Sequence, residues 1–143
     1  MTEQWIKWEP IQGLAGQYDL EFISDDMKKD GKCIVILAEY KNGKNGNKGL
    51  RITWEKNPVW AFRVTDESFR QKLINDLSEK HGSEFYVHWT FFKVENSEYL
   101  KWLSEQSCEV TDYLKFQHFS ILGIESFVDI VSWSEPKFEF IDL

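Results

Sequence analysis

Apolar and polar residues alternate with a period of two over several stretches of this chain. Tyr18, Leu20 and Phe22 alternate with Asp19 and Glu21, and Leu50, Ile52 and Trp54 with Arg51, Thr53 and Glu55. Trp60, Phe62 and Val64 do the same with Ala61 and Arg63. Alternation of this kind turns one set of side chains to a core and the other to water, the signature of a half-buried strand. The last two stretches flank Asn57-Pro58 and predict an antiparallel pair with one wet face. Cys33-Ile-Val-Ile-Leu-Ala38 is continuously apolar, which places it near a sheet centre and covered on both faces. Phe116–Leu122 and Phe127–Trp133 are two further strands joined by Gly123-Ile-Glu-Ser126, and Glu135-Pro136 stops the second.

The most apolar run is Phe85-Tyr-Val-His-Trp-Thr-Phe-Phe-Lys-Val94. It predicts a core strand with Phe85, Val87, Trp89 and Phe91 on its inner face. At Asn96-Ser97 the pattern changes to a helix over 98–106, capped by one of those two residues, with Tyr99, Leu100, Trp102 and Leu103 toward the core. An earlier helix starts at Thr65, with Asp66 and Glu67 in its first turn and Phe69, Leu73, Ile74 and Leu77 at helical spacing, and ends near His81-Gly82. Residues 1–16 read as a lead-in whose Trp5 and Trp8 plug against the body. Residues 24–31 form a polar turn, and Phe138, Phe140 and Ile141 a short apolar tail. Lys41-Asn-Gly-Lys-Asn-Gly-Asn-Lys-Gly49 carries lysines and glycines but no Ser or Thr after a Gly-Lys pair, so it is a flexible hairpin tip and not a phosphate loop.

Runs of strands with only two helices predict an α+β fold: one domain spanning 1–143, with a largely antiparallel sheet of about seven strands. Its expected core is Phe62, Trp89, Phe91, Leu103 and Ile121. A chain of 143 residues buries a core without staples. Its seven Trp, five Tyr and eleven Phe exclude a disordered acidic segment. Cys33 and Cys108 make no disulfide framework, so two buried thiols and a reducing, cytoplasmic setting are expected. The first ten residues have neither the basic nor the apolar region of a signal peptide. No apolar run approaches the length of a membrane span, and no membrane partner is expected.

Charge narrows the partners further. The net charge of −7 argues against binding nucleic acid, which needs a concentrated cationic face. Up to residue 92 there are 14 acids against 13 Lys and Arg; from residue 93 there are 10 acids against four Lys. An acidic C-terminal third is a steering field toward a basic partner.

Signatures of catalysis are absent: no nucleophile elbow, zinc-helix or dinucleotide motif occurs, and neither cofactor nor metal is expected. The histidines supply one alternative. His81 sits at a helix end, where its ring meets the last carbonyls. His88 and His118 both fall on the off-core phase of their strands. If those strands pair, His88, Thr90, His118 and Ser120 share a polar patch with Tyr86 nearby, a site for a small ligand or for hydrolysis. A pocket lined by Trp54, Trp60, Trp89 and Trp133 is a further possibility, against which stands the plain reading that strand aromatics are core.

Val94-Glu-Asn-Ser-Glu-Tyr-Leu-Lys-Trp-Leu103, followed by Phe116-Gln-His-Phe-Ser-Ile-Leu122, Val128-Asp-Ile-Val131 and Glu135-Pro136, resembles a C-terminal pattern of small bacterial proteins. Some of these are assigned as immunity proteins of polymorphic-toxin systems. The resemblance implies a non-enzymatic inhibitor of a cognate toxin, and nuclease toxins, with their basic clefts, suit an acidic C-terminal third. The contacts expected on this reading are Glu98, Glu105, Glu109 and Asp112, on or just after the second helix, with Tyr113 as an aromatic anchor.

Overall fold

Two sheets form where one was expected. The computed structural model describes residues 2–26, 28–109 and 115–143. Its strands are β1 (Gln4–Lys7), β2 (Tyr18–Asp25), β3 (Cys33–Lys41), β4 (Lys44–Trp54), β5 (Val59–Asp66), β6 (Phe91–Glu95), β7 (Gln117–Leu122), β8 (Ser126–Ser132) and β9 (Lys137–Asp142). Helix α1 (Gln71–His81) precedes β6, and α2 (Glu98–Gln106) follows it. One sheet has the order β1-β6-β7-β8-β5 and the other β2-β3-β4-β9, with every pairing antiparallel. The α+β class, the antiparallel pairing and the two helices are as the sequence predicts; among the described residues the strands number nine.

Successive residues of the five-stranded sheet fall into different buried clusters, which fixes the layers. Phe91, Phe119, Ile121, Val128 and Ile130 pack with Val35, Leu37, Leu50, Ile52 and Trp54 of the other sheet. Their neighbours Phe92, Leu122 and Phe127 pack on the opposite face with Trp5 and with Leu77 of α1. The order of layers is therefore helices, five-stranded sheet, four-stranded sheet. The expected core holds at Phe91 and Ile121, while Phe62 and Trp89 pack at its margin and Leu103 is half-buried.

Several elements differ from the sequence pattern, each for a local reason. The run from Phe85 enters a strand only at Phe91, and residues 83–88 are turns. Helix α1 ends at Gly82 (φ 95°), and the Phe85 ring turns back to stack on His81 at 4.0 Å. The lead-in contains β1, which pairs with β6 and buries Trp5. The expected β4–β5 pair does not exist. Lys56 and Asn57, both at positive φ, carry the chain from one sheet to the other, so β4 pairs with β3 and β9 while β5 pairs with β8. The apolar tail is β9.

A bulge between Leu20 and Phe22 shifts the phase of β2 and turns Phe22 outward. Thr65 belongs to β5, and Asp66 caps a 3-10 turn over Glu67–Phe69 by accepting from the Ser68 N–H, which leaves Phe69 exposed. In α2 the cap is Ser97, and Trp102 points outward. The lysine-glycine tip is a two-residue turn, Asn42-Gly43, with both φ values positive as a hairpin requires, and the remaining residues belong to β3 and β4, whose register is broken by a bulge between Ala38 and Tyr40. Continuous apolarity in β3 did not mean cover on both faces: Val35 and Leu37 are buried, Ile34 and Ile36 half-buried. Of the two thiols, Cys33 is buried and Cys108 is exposed.

Phe91 lies where the layers meet, edge-on to Tyr18 and Phe138 of the opposite sheet at 5.4 and 6.0 Å. Phe91→Ala is expected to cost about 3–5 kcal/mol, the usual range for emptying a fully buried Phe site. Urea unfolding of the two proteins measures this, and a loss below about 1 kcal/mol would contradict the layering described.

Candidate functional site

The register of the five-stranded sheet sets Phe92, Ser120, Asp129 and Arg63 in one row across β6, β7, β8 and β5. Alternation turns that row toward the helices, so Asp129 is a carboxylate inside an apolar layer, fully buried. An isolated charge there would cost several kcal/mol. Its oxygens are instead saturated. Oδ1 accepts from His118 Nε2 at 2.7 Å and Ser120 Oγ at 3.0 Å, and Oδ2 from Arg63 Nε at 2.8 Å and Arg70 Nη1 at 3.0 Å. Burial alone would raise the Asp129 carboxyl. The His118 hydrogen bond and the charges of His118, Arg63 and Arg70 outweigh it and hold the group well below the usual carboxylate range.

The chain of contacts continues to the start of α2. His118 Nδ1 lies 2.7 Å from Ser97 Oγ, and that oxygen accepts from the Leu100 N–H at 3.1 Å. His118 thus bridges the Asp129 carboxylate and the Ser97 hydroxyl through its two ring nitrogens. Serine, histidine and aspartate thus stand in line, as in a nucleophilic triad. Here, however, Ser97 is 3% exposed and its oxygen is committed to the helix cap, so no substrate atom has room to meet it. What the line does is pin the first turn of α2 to β7 and β8.

Around this cluster lies a cleft of about 300 Å³ between the start of α2, the 3-10 turn and α1. Arg63, Arg70, Phe69, Tyr99 and Trp102 line it together with Glu3, Glu98 and the Lys72–Asp76 pair. The Arg63 guanidinium lies over the Tyr99 ring at 4.2 Å. Burial pushes the Tyr99 hydroxyl upward; Arg63 opposes that shift and Asp129 adds to it.

The polar patch expected from the histidines does not assemble, because His88 and Thr90 precede β6 and follow no strand phase. His88 is exposed, 3.8 Å from Glu84, at the rim of a cavity lined by Gly13, Gly16 and Tyr40. Thr90 is buried and donates to the Gly16 carbonyl, and with Tyr86 it lines a separate cavity. Only His118 and Ser120 meet, on Asp129. The tryptophan pocket does not form either: Trp54 is core, and Trp60 and Trp133 are exposed neighbours 5.7 Å apart. Asp129 was legible as a lone acid inside Phe127-Val-Asp-Ile-Val131. Arg63 and Arg70 carried no such signal, since outward-phase arginines read as solvated.

Of the expected contact acids, Glu98 opens α2, its carboxylate 3.0 Å from Lys101 Nζ and its N–H donated to Glu3. Glu105 and Glu109 are exposed. Asp112 and Tyr113 lie outside the described residues. Trp102, expected in the core, is 53% exposed and stacks on Tyr99. The acidic third is also less one-sided in space than in sequence: Asp129 is buried, and Glu135, Lys137, Glu139 and Asp142 pair with Lys93, Glu55, Arg51 and Lys48. Among the described residues no three His, Cys, Asp or Glu are grouped as metal ligands, and no helix is long and apolar enough to cross a membrane.

Compared with known proteins, the chain matches no family model, no curated protein and no solved structure.

Asp129→Asn leaves two arginines without their counter-charge and is expected to cost about 3–5 kcal/mol at neutral pH. Because the folded carboxyl is shifted down, its stabilisation is present above the unfolded value of about 3.9 and is lost as pH falls through the acid range below it. Urea midpoints from pH 7 to pH 2 should therefore fall less steeply for the variant below about pH 4. Parallel curves would refute a charged Asp129.

Proposed function

We propose that this protein is a non-enzymatic binding protein, an immunity-type inhibitor that docks the basic surface of a cognate toxin domain in the cytoplasm. The observation that carries the reading is the outward face of α2. Trp102, a large aromatic half in solvent, stands on that face among Glu98, Glu105 and, just beyond the helix, Glu109. Exposed tryptophans backed by firm packing are the side chains that dominate interface energies, and surrounding acids set encounter rate and register against a basic partner. Trp102 is backed by Tyr99, and Tyr99 by the Arg63–Asp129 cluster, so the anchor stands on an ordered base. The resemblance around Asn96–Leu103 names the class of partner. A ligand or hydrolase site built on His88 and His118 has lost its support, since the two rings lie in different surroundings.

The test is pull-down of the toxin-like domain encoded by the neighbouring gene, at low and high salt. Trp102→Ala is expected to weaken binding by about 30-fold or more, the effect of losing one central anchor. Charge reversal of Glu105 and Glu109 should slow association and flatten the salt dependence. Binding indifferent to salt and to all three substitutions, or a neighbour without such a domain, would overturn the reading.

A further inference from the structure

The cleft beside α2 carries chemistry that the acidic docking face does not use. Two guanidiniums converge there on a single carboxylate oxygen, Asp129 Oδ2. One buried anion therefore answers two permanent cations, and among the described residues the remaining guanidinium N–H groups of both arginines make no further hydrogen bond. Neither arginine is sealed off, because the side chain of Arg63 is 43% exposed and that of Arg70 14%. Their orientation is already fixed, Arg63 by its Asp129 bond and by stacking on Tyr99, Arg70 by its Asp129 bond and by lying over Phe127 at 5.8 Å. Forks held in place before a ligand arrives lose little entropy on binding it.

The rest of the lining selects among anions. Phe69, 80% exposed, and Trp102, 53% exposed, give the cleft aromatic surface for which the described fold has no use. The Lys72–Asp76 and Lys101–Glu98 ion pairs leave little net charge on that wall, so Glu3 is the acid that opposes a doubly charged group such as phosphate. We propose that this cleft binds a small, singly charged carboxylate borne on a flat apolar body, with the carboxylate on Arg63 and Arg70 and the body against Phe69 and Trp102. The cavity of about 300 Å³ matches a molecule of roughly amino-acid size.

Phenylacetate is a direct probe, titrated into the full chain and followed by tryptophan fluorescence and by saturation-transfer NMR of the ligand. Saturable binding is expected, at least about tenfold tighter than for the neutral isostere phenylacetamide, as a charge-assisted bidentate contact requires. Acetate, which lacks the ring, should bind more weakly by a similar factor. Arg63→Lys keeps a cation near Asp129 but removes the planar fork, and should weaken phenylacetate binding about tenfold at a temperature where its unfolding curve shows the variant fully folded. Phe69→Ala, at a solvent-facing position, should weaken phenylacetate and leave acetate unaffected. Glu105→Lys should alter neither, which separates this site from the docking face. The proposal is overturned if phenylacetamide binds as well as phenylacetate, if inorganic phosphate binds more tightly than either, if Arg63→Lys and Phe69→Ala change nothing, or if no probe saturates below about 10 mM.

Discussion

The Asp129 carboxylate is the constraint on which the helical side of this molecule depends. Among the described residues it is the one acid placed at the centre of a β-strand whose neighbours on both sides are fully buried. Such a charge is tolerable only if every lone pair is met, and meeting them ties four separate parts of the chain together. Ser120 and His118 come from the adjacent strand β7, Arg63 from the edge strand β5, and Arg70 from the residue between the 3-10 turn and α1. Through His118 the same carboxylate reaches Ser97 and so the first turn of α2. A well-packed apolar group in its place need not be less stable. What an apolar group does not supply is direction: hydrogen bonds at 2.7–3.0 Å specify where α2 begins and where the arginines point.

The other half of the molecule is held by contacts that specify little direction and much area. Tyr18, Trp54, Phe91 and Phe119 lie between the sheets with edge-to-face contacts of 5.4 Å for Tyr18–Phe91 and 5.9 Å for Trp54–Phe119. This aromatic layer supplies much of the buried area that holds the two sheets together. It also frees the opposite face of the five-stranded sheet to carry polar groups. A sheet covered on one side by a sandwich partner and on the other by two short helices has room at its edges, and the cleft beside β5 is such an edge.

How far the sequence revealed all this follows from how local each signal is. Caps, helical spacing and the Gly123–Ser126 connection are decided within a few residues, and α2, β7 and β8 lie where the pattern put them. Sheet membership is not local. Leu50–Trp54 and Trp60–Val64 alternate alike, yet two residues at positive φ send them to different sheets, and nothing in either run says so. Phase was lost wherever a bulge intervened, as at Phe22, or where an apolar run served two purposes, as at Phe85–Trp89. The same distinction divides the site. Ser97 as a helix cap and His118 and Ser120 on one strand face were readable, but their meeting point on Asp129 needed the β7–β8 register. Trp102 was misassigned because helical spacing gives a face its direction only if something covers that face, and α2 is covered chiefly through Tyr99.

Linear charge is an unreliable guide to surface charge for a related reason. In an antiparallel fold, the acids of one strand are drawn opposite the bases of another, and β9 spends its two carboxylates on β4 in this way. Glu105 in α2 and Glu109 just after it lie on no strand and stay exposed. The outward face of α2 thus carries an exposed tryptophan with Glu105 beside it, its other acid, Glu98, being answered by Lys101. Its base is the Tyr99 ring, which has Trp102 stacked on it and the Arg63 guanidinium lying against it. The acidic face of α2 and the arginine cleft are therefore neighbours joined by one aromatic side chain, and a change in how Arg63 sits bears first on Trp102.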